Sequence, residues 1–109
     1  MKVYKNLYIG DTVKKPGKII KKLKQYKKLP DIYVLVCAED NRQLEVYHSL
    51  MLQHWYYKEN PPAILGIAKG QEEAFGLIEK IAQEAVAATG QADLMAYLAV
   101  DNPDSFVQK

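Results

Sequence analysis

Along this chain, stretches with apolar residues at every second position give way to stretches with apolar residues three or four apart, and that change of period predicts the elements. KVYKNLYIG, residues 2–10, carries the β-favouring Val3, Tyr4, Leu7, Tyr8 and Ile9 and stops at Gly10 and Asp11, so it reads as a strand. PGKIIKKLKQYKKL, residues 16–29, sets Ile19, Ile20, Leu23 and Tyr26 at helical spacing, with Pro16 suited to a first turn and Pro30 to a stop. IYVLVCAE, residues 32–39, is a continuous apolar run rich in β-branched side chains, as in a strand covered on both faces. LEVYHS, residues 44–49, returns to period two, and Asp40 and Asn41 between the two runs predict a β-hairpin.

LEVYHSLMLQHWYYKEN also reads as one long helix. The split reading is preferred, with a short helix over residues 49–58 whose Met51, Leu52, Trp55 and Tyr56 form one apolar stripe and which Pro61 and Pro62 close. AILGIAKG, residues 63–70, is another buried strand. Residues 71–90 are the clearest helix, with Ala74, Phe75, Ile78, Ile81, Ala82 and Ala85 on one face, Glu72 and Glu73 in the first turn and Gly90 as C-terminal cap. ADLMAYLAV, residues 92–100, fits either period and is taken as a strand.

These elements predict an α/β fold: a single-domain layered sandwich over residues 1–100, with a mixed, mostly parallel sheet of about four to five strands and three helices. Residues 101–109 are expected to be a flexible C-terminal tail. Right-handed crossovers would make the strands near residues 3, 32 and 63 parallel. Ligands of such sheets gather beyond the carboxyl ends of the strands, which singles out Gly10, Asp11 and Thr12, then Cys37, Ala38 and Glu39, then Lys69 and Gly70.

Composition narrows the class. A chain of 109 residues buries roughly 65% of its unfolded surface, enough for one core, and 49% hydrophobic residues exclude a disordered chain. No stretch approaches the roughly 20 apolar residues that a bilayer requires, so no membrane partner and a cytoplasmic location are expected. Cys37 is the sole cysteine and has no thiol to pair with inside the chain.

Charge changes the picture more. Residues 1–30 hold ten lysines against Asp11, a balance of +9, whereas residues 31–109 hold five basic and twelve acidic residues, a balance of −7. Lys14, Lys15, Lys18, Lys21, Lys22, Lys24 and Lys28 form a basic face fit for an acidic or nucleic-acid partner. That face lacks the arginine that makes bidentate contacts, the aromatics lie elsewhere in the sequence, and Glu79 and Glu84 are expected to offset it in part. Nucleic-acid binding through residues 14–28 is therefore the alternative reading, not the first.

Candidate chemistry is sparse. GIAKGQEE has the order strand, glycine, helix that anion sites use, but Glu72 and Glu73 already complement the helix dipole there. Cys37, His48 and His54 have no metal-ligand spacing, so neither a metal nor a cofactor is assigned. Asp11, Cys37, Glu39 and Lys69 would form a small enzyme's cleft only by analogy with the fold. In the run HWYYK, Trp55 is assigned to the core, and His54 and Tyr57 to a pocket rim or oligomer interface. Tyr8, Asp11, Thr12, Glu39, His54, Tyr57, Lys69 and Gly70 are the candidate contacts for a small-molecule ligand or a partner. The first expectation for function is a non-catalytic binding or assembly module, homodimeric, with no catalytic residues.

NLYIGDTV, AEDNRQLEVY and GIAKGQEEA resemble segments of a group of small bacterial proteins of unknown function, a resemblance spanning most of the chain that implies a bacterial cytoplasmic domain and assigns no chemistry. VLVCAED is similar to a strand end in a ribosomal RNA-binding family, whose glycine-rich contact segment is missing here, so none of its residues is carried over.

Overall fold

The apolar run at residues 32–38 becomes an inner strand of a sheet, as its two-sided hydrophobicity requires. In the computed structural model, which describes residues 1–38 and 43–108, β1 (Lys2–Ile9), β2 (Ile32–Ala38), β3 (Gln43–His48), β4 (Ile64–Lys69) and β5 (Phe106–Gln108) form one sheet in the order β3-β2-β4-β1-β5. One face is covered by α1 (Pro16–Lys24), a 3₁₀ segment at Ser49–Gln53 and α2 (Trp55–Glu59); Leu23, Leu52 and Tyr57 pack there on Val34, Val36, Ile64 and Ile67. The other face is covered by α3 (Gln71–Thr89) and α4 (Leu94–Leu98); Leu77, Ile81, Met95 and Leu98 pack there on Leu35, Leu65 and Ala68.

The α/β class and the hairpin hold. β2 and β3 pair antiparallel from Tyr33 opposite His48 to Ala38 opposite Gln43. The sheet is not mostly parallel, however: among the described residues only β1 with β4 is a parallel pair, while β2 runs antiparallel to β3 and β4, and β5 antiparallel to β1. α1, nine residues at about 1.5 Å each, covers only about half the length of an eight-residue strand at about 3.3 Å each, and the chain reaches β2 without returning along the sheet. Tyr26, left-handed at φ 55°, then turns the chain so that β2 enters at the end where β4 finishes, and the Gly70 amide donates to the Asp31 carbonyl at 3.0 Å.

Three further elements depart from expectation. Residues 94–98 are helical, not extended, because the Asp93 side chain caps the Ala96 amide at 3.1 Å and burial follows the helical spacing of Met95 and Leu98. The segment expected to be a loose tail instead forms a 3₁₀ turn at Pro103–Ser105 and β5, with Phe106 edge-on to Tyr4 at 5.6 Å. The buried stripe of α3 is rotated towards Ala74, Leu77, Ile81 and Ala85, which leaves Phe75 half exposed. Among the described residues there are four α-helices in place of the three expected.

A tyrosine network ties the second layer to the sheet. Tyr8 Oη donates to Glu84 Oε1 at 2.7 Å, Tyr97 Oη donates to the same oxygen at 3.3 Å, and Tyr4 Oη donates to the Leu98 carbonyl at 2.9 Å. Burial, then the hydrogen bond to Glu84 and the charge on that carboxylate, push the Tyr8 phenol well above its ordinary value of 10.0. Because the folded protein holds this proton more tightly than the unfolded chain does, its stabilising contribution is whole below pH 10.0 and is lost as the pH rises above that value. Urea unfolding at about pH 9 and about pH 11 should therefore show a stability loss that Tyr8→Phe reduces; equal losses in both proteins would remove Tyr8 from the alkaline transition.

Candidate functional site

At the carboxyl ends of the parallel pair, β1 and β4 leave the sheet side by side. The Gly10 amide donates to the Ile67 carbonyl at 2.9 Å, and the Val13 amide turns back to Gly10 at 3.0 Å. Glu73, in the first turn of α3, spans both loops: its carboxylate accepts the Thr12 amide at 3.1 Å, the Thr12 hydroxyl at 2.6 Å and the Lys69 amide at 2.8 Å. Slight burial acts to raise its pKa, but the Lys69 amide, the two Thr12 donors and the Lys69 charge outweigh it and hold the carboxyl below its ordinary 4.5. At the strand, glycine and helix junction the Lys69 amide is thus taken by the Glu73 carboxylate and the Gly70 amide by the Asp31 carbonyl, and the Glu73 charge opposes a second anion there.

Beside this latch lies a cavity of about 320 Å³ with Val13, Ile19, Leu29 and Ile32 as its apolar floor and Thr12, Lys14 and Lys69 on its rim. Thr12 and Lys69, both singled out in the sequence, therefore meet. Asp11 does not join them; it lines a separate hollow with Glu73 and Lys80. Cys37 lies at the other end of β2, opposite Leu44, and its thiol donates to Met95 Sδ at 3.3 Å. Since β2 runs against β4, the proposed grouping of Asp11, Cys37 and Lys69 is not assembled, and its fourth member, Glu39, lies outside the described residues, as do Asp40 and Asn41. Cys37 and His48 sit at opposite ends of the hairpin, so they do not converge with His54 either. Tyr8 belongs to the internal network and Gly70 is the N-terminal cap of α3 at φ 90°.

The aromatic run has a different geometry from the predicted stripe. His54 adopts an extended conformation (φ −66°, ψ 140°) that breaks the segment into the 3₁₀ turn and α2, and its Nδ1 accepts the Tyr56 amide at 3.2 Å. The break resets the helical phase, so Leu52 is buried while Leu50, Met51, Trp55 and Tyr56 are exposed; Trp55, assigned to the core from sequence, is 64% exposed. Tyr57 does the anchoring, packed 5.6 Å from Tyr47. His48 holds the start of the shelf, with Nδ1 accepting the Leu50 amide at 3.1 Å and Nε2 donating to the Pro30 carbonyl at 2.8 Å.

The same contacts bring the shelf against the basic helix. Ser49 Oγ donates to the Leu29 carbonyl, Gln53 Nε2 donates to the Tyr26 carbonyl at 2.9 Å, and Lys58 Nζ stands 5.5 Å above the Tyr26 ring. Lys14, Lys15, Lys18, Lys21, Lys27 and Lys28 are exposed, with Lys22 and Lys24 half-buried. Glu79 and Glu84 do not offset them, because α3 packs on the opposite face of the sheet and Glu84 is engaged by Tyr8 and Tyr97. Tyr26, Gln53 and Lys58, which join shelf to helix, had no signal in the sequence beyond the Leu29 and Pro30 stop that makes α1 end nearby. No helix among the described residues is long and apolar enough to cross a membrane. No family model, curated protein or solved structure matches the chain, in keeping with the expectation that no characterised family does.

Proposed function

We propose that this protein is a non-catalytic binding and assembly module whose working surface is the shelf formed by Leu50, Met51, Trp55 and Tyr56. One observation carries the reading: four large apolar side chains stand 40 to 64% exposed within seven residues of chain, on a segment that Ser49, Leu52 and Tyr57 pin to the core. A rigidly mounted apolar patch of this kind raises the free energy of the unbound protein and is recovered only by contact. Occupation by a second copy of the chain makes it a homodimer; occupation by another molecule makes it a carrier or adaptor.

The test separates contact from core. The double variant Trp55→Ser/Tyr56→Ser should unfold within about 1 kcal/mol of the parent protein, since neither side chain is buried, yet should lose whatever association the parent shows. Urea unfolding reads the first quantity, and light scattering with ligand titration reads the second. A parent protein that stays monomeric and binds nothing, or a variant that loses several kcal/mol, would overturn the proposal.

A further inference from the structure

We infer that the shelf and α1 together form a binding surface for single-stranded nucleic acid, with bases stacked on Trp55 and Tyr56 and phosphates held by the lysines of α1 and the turn that follows it. This rests on the reading of the shelf as a contact surface and names its partner.

The inference stands on three independent observations. The first is charge: residues 14–28 hold eight lysines and no acid, and the sheet separates them from Glu79 and Glu84 of α3, while Glu73 reaches only as far as Thr12. Glu59 is the acid on α2, and it is balanced by Lys58 beside it. The second is adjacency, since Gln53 and Lys58 contact Tyr26 and Ser49 contacts Leu29, so the turn after α1, which carries Lys27 and Lys28, adjoins the segment that bears the exposed rings. Trp55 lies three residues before Lys58 on α2 and so shares its side of the helix. The third is ring exposure: Trp55 is 64% and Tyr56 49% exposed, although His54 lies tilted against Trp55 at 5.5 Å and Tyr57 edge-on to Tyr56 at 5.2 Å, so a planar partner would stack on the outward side of each ring.

Chemistry favours unpaired strands over the alternatives. Stacking on exposed aromatics requires bases that are not paired, and lysines without arginine hold phosphates as point charges without reading base edges. The surface should therefore tolerate any sequence. A second copy fits less well, because apposing two shelves would set two lysine-rich segments of like charge against each other.

The experiment is fluorescence anisotropy of a labelled oligothymidylate, with an oligouridylate alongside, titrated with the full chain from about 50 to about 200 mM salt. Binding that engages about four phosphates should weaken with a log-log slope near −3, since single strands contribute about −0.7 per phosphate. Trp55→Ala should weaken binding about tenfold at every salt concentration and leave the slope unchanged, while Trp55→Phe restores most of it. Lys22→Gln/Lys27→Gln should flatten the slope by about 1.4. The same oligonucleotide as a duplex should bind more weakly, and vesicles containing anionic lipid should compete poorly. No binding at about 50 mM salt, an unaffected Trp55→Ala variant, or preference for duplex or vesicle would overturn the inference. Self-association lost in Trp55→Ala, without nucleic-acid binding, would sink this partner and leave the shelf's role as a contact surface standing.

Discussion

A Gly66→Val variant is expected to lose about 3 kcal/mol of stability, because its new side chain has nowhere to go. Gly66 is buried in β4, between β1 and β2, opposite Tyr8 on one side and Leu35 on the other. Even a single Cβ there would stand 3.0 Å from the Tyr8 carbonyl oxygen and 3.3 Å from the Cβ atoms of Leu35 and Tyr8. One of those neighbours is main chain, which cannot swing aside as a side chain tip can. β1 also changes register against β4 between Val3 and Tyr8, and Gly66 is where close pairing resumes, so displacing Tyr8 would also pull its hydroxyl from Glu84. Gly66→Ala should cost about 1 kcal/mol by the same route. Urea unfolding curves give both values; a valine variant within about 0.5 kcal/mol of the parent would mean that the strands do not approach as described.

The second large effect concerns the Glu73 latch. A Cβ on Gly10 would lie 1.9 Å from Glu73 Oε1, so Gly10→Ala must expel the carboxylate and forfeit its bonds to Thr12 and Lys69. The side chain moves easily, but three charge-assisted bonds are lost together, and a cost of about 2 kcal/mol follows. The decisive measurement is a double-mutant cycle: in a Glu73→Ala background the same Gly10→Ala change should be nearly neutral, since nothing remains to expel. Additive costs would show that Gly10 is needed for some other reason. Acid should mimic the loss, because the folded state lowers the pKa of Glu73; its contribution is present above 4.5 and disappears as the pH falls through the lowered value.

How far the sequence alone could reach is visible at particular residues. Strands covered on both faces announced themselves, since Val34, Leu35 and Val36 must each find an apolar layer, and the period-two LEVYH beside them fixed the hairpin. What periodicity could not encode was direction. Whether β2 ran with or against β4 depended on a short helix and on one left-handed tyrosine, Tyr26, a conformation that no composition rule assigns to tyrosine. That reversal dismantled the expected cleft by sending Cys37 to the far end, while Thr12 and Lys69 still met. The aromatic run is oriented differently from the expected stripe, because the kink at His54 depends on a ring nitrogen capping the next turn. Nor could α4 be told from a strand: in five residues the two periods share Leu94 and Leu98, and Asp93 alone tips the balance.

The place of β1 in the sheet has a bearing on how the chain comes together during synthesis. Its two neighbours are β4, which places Ile64 beside Val3, and β5, which places Val107 there. The β2/β3 hairpin needs only its own nearby residues and can close early, but β1 waits for β4 and then for β5, both translated well after it. Its exposed lysines, Lys2 and Lys5, stand on that waiting strand, where charge is a known deterrent to sticking edge to edge with another nascent molecule.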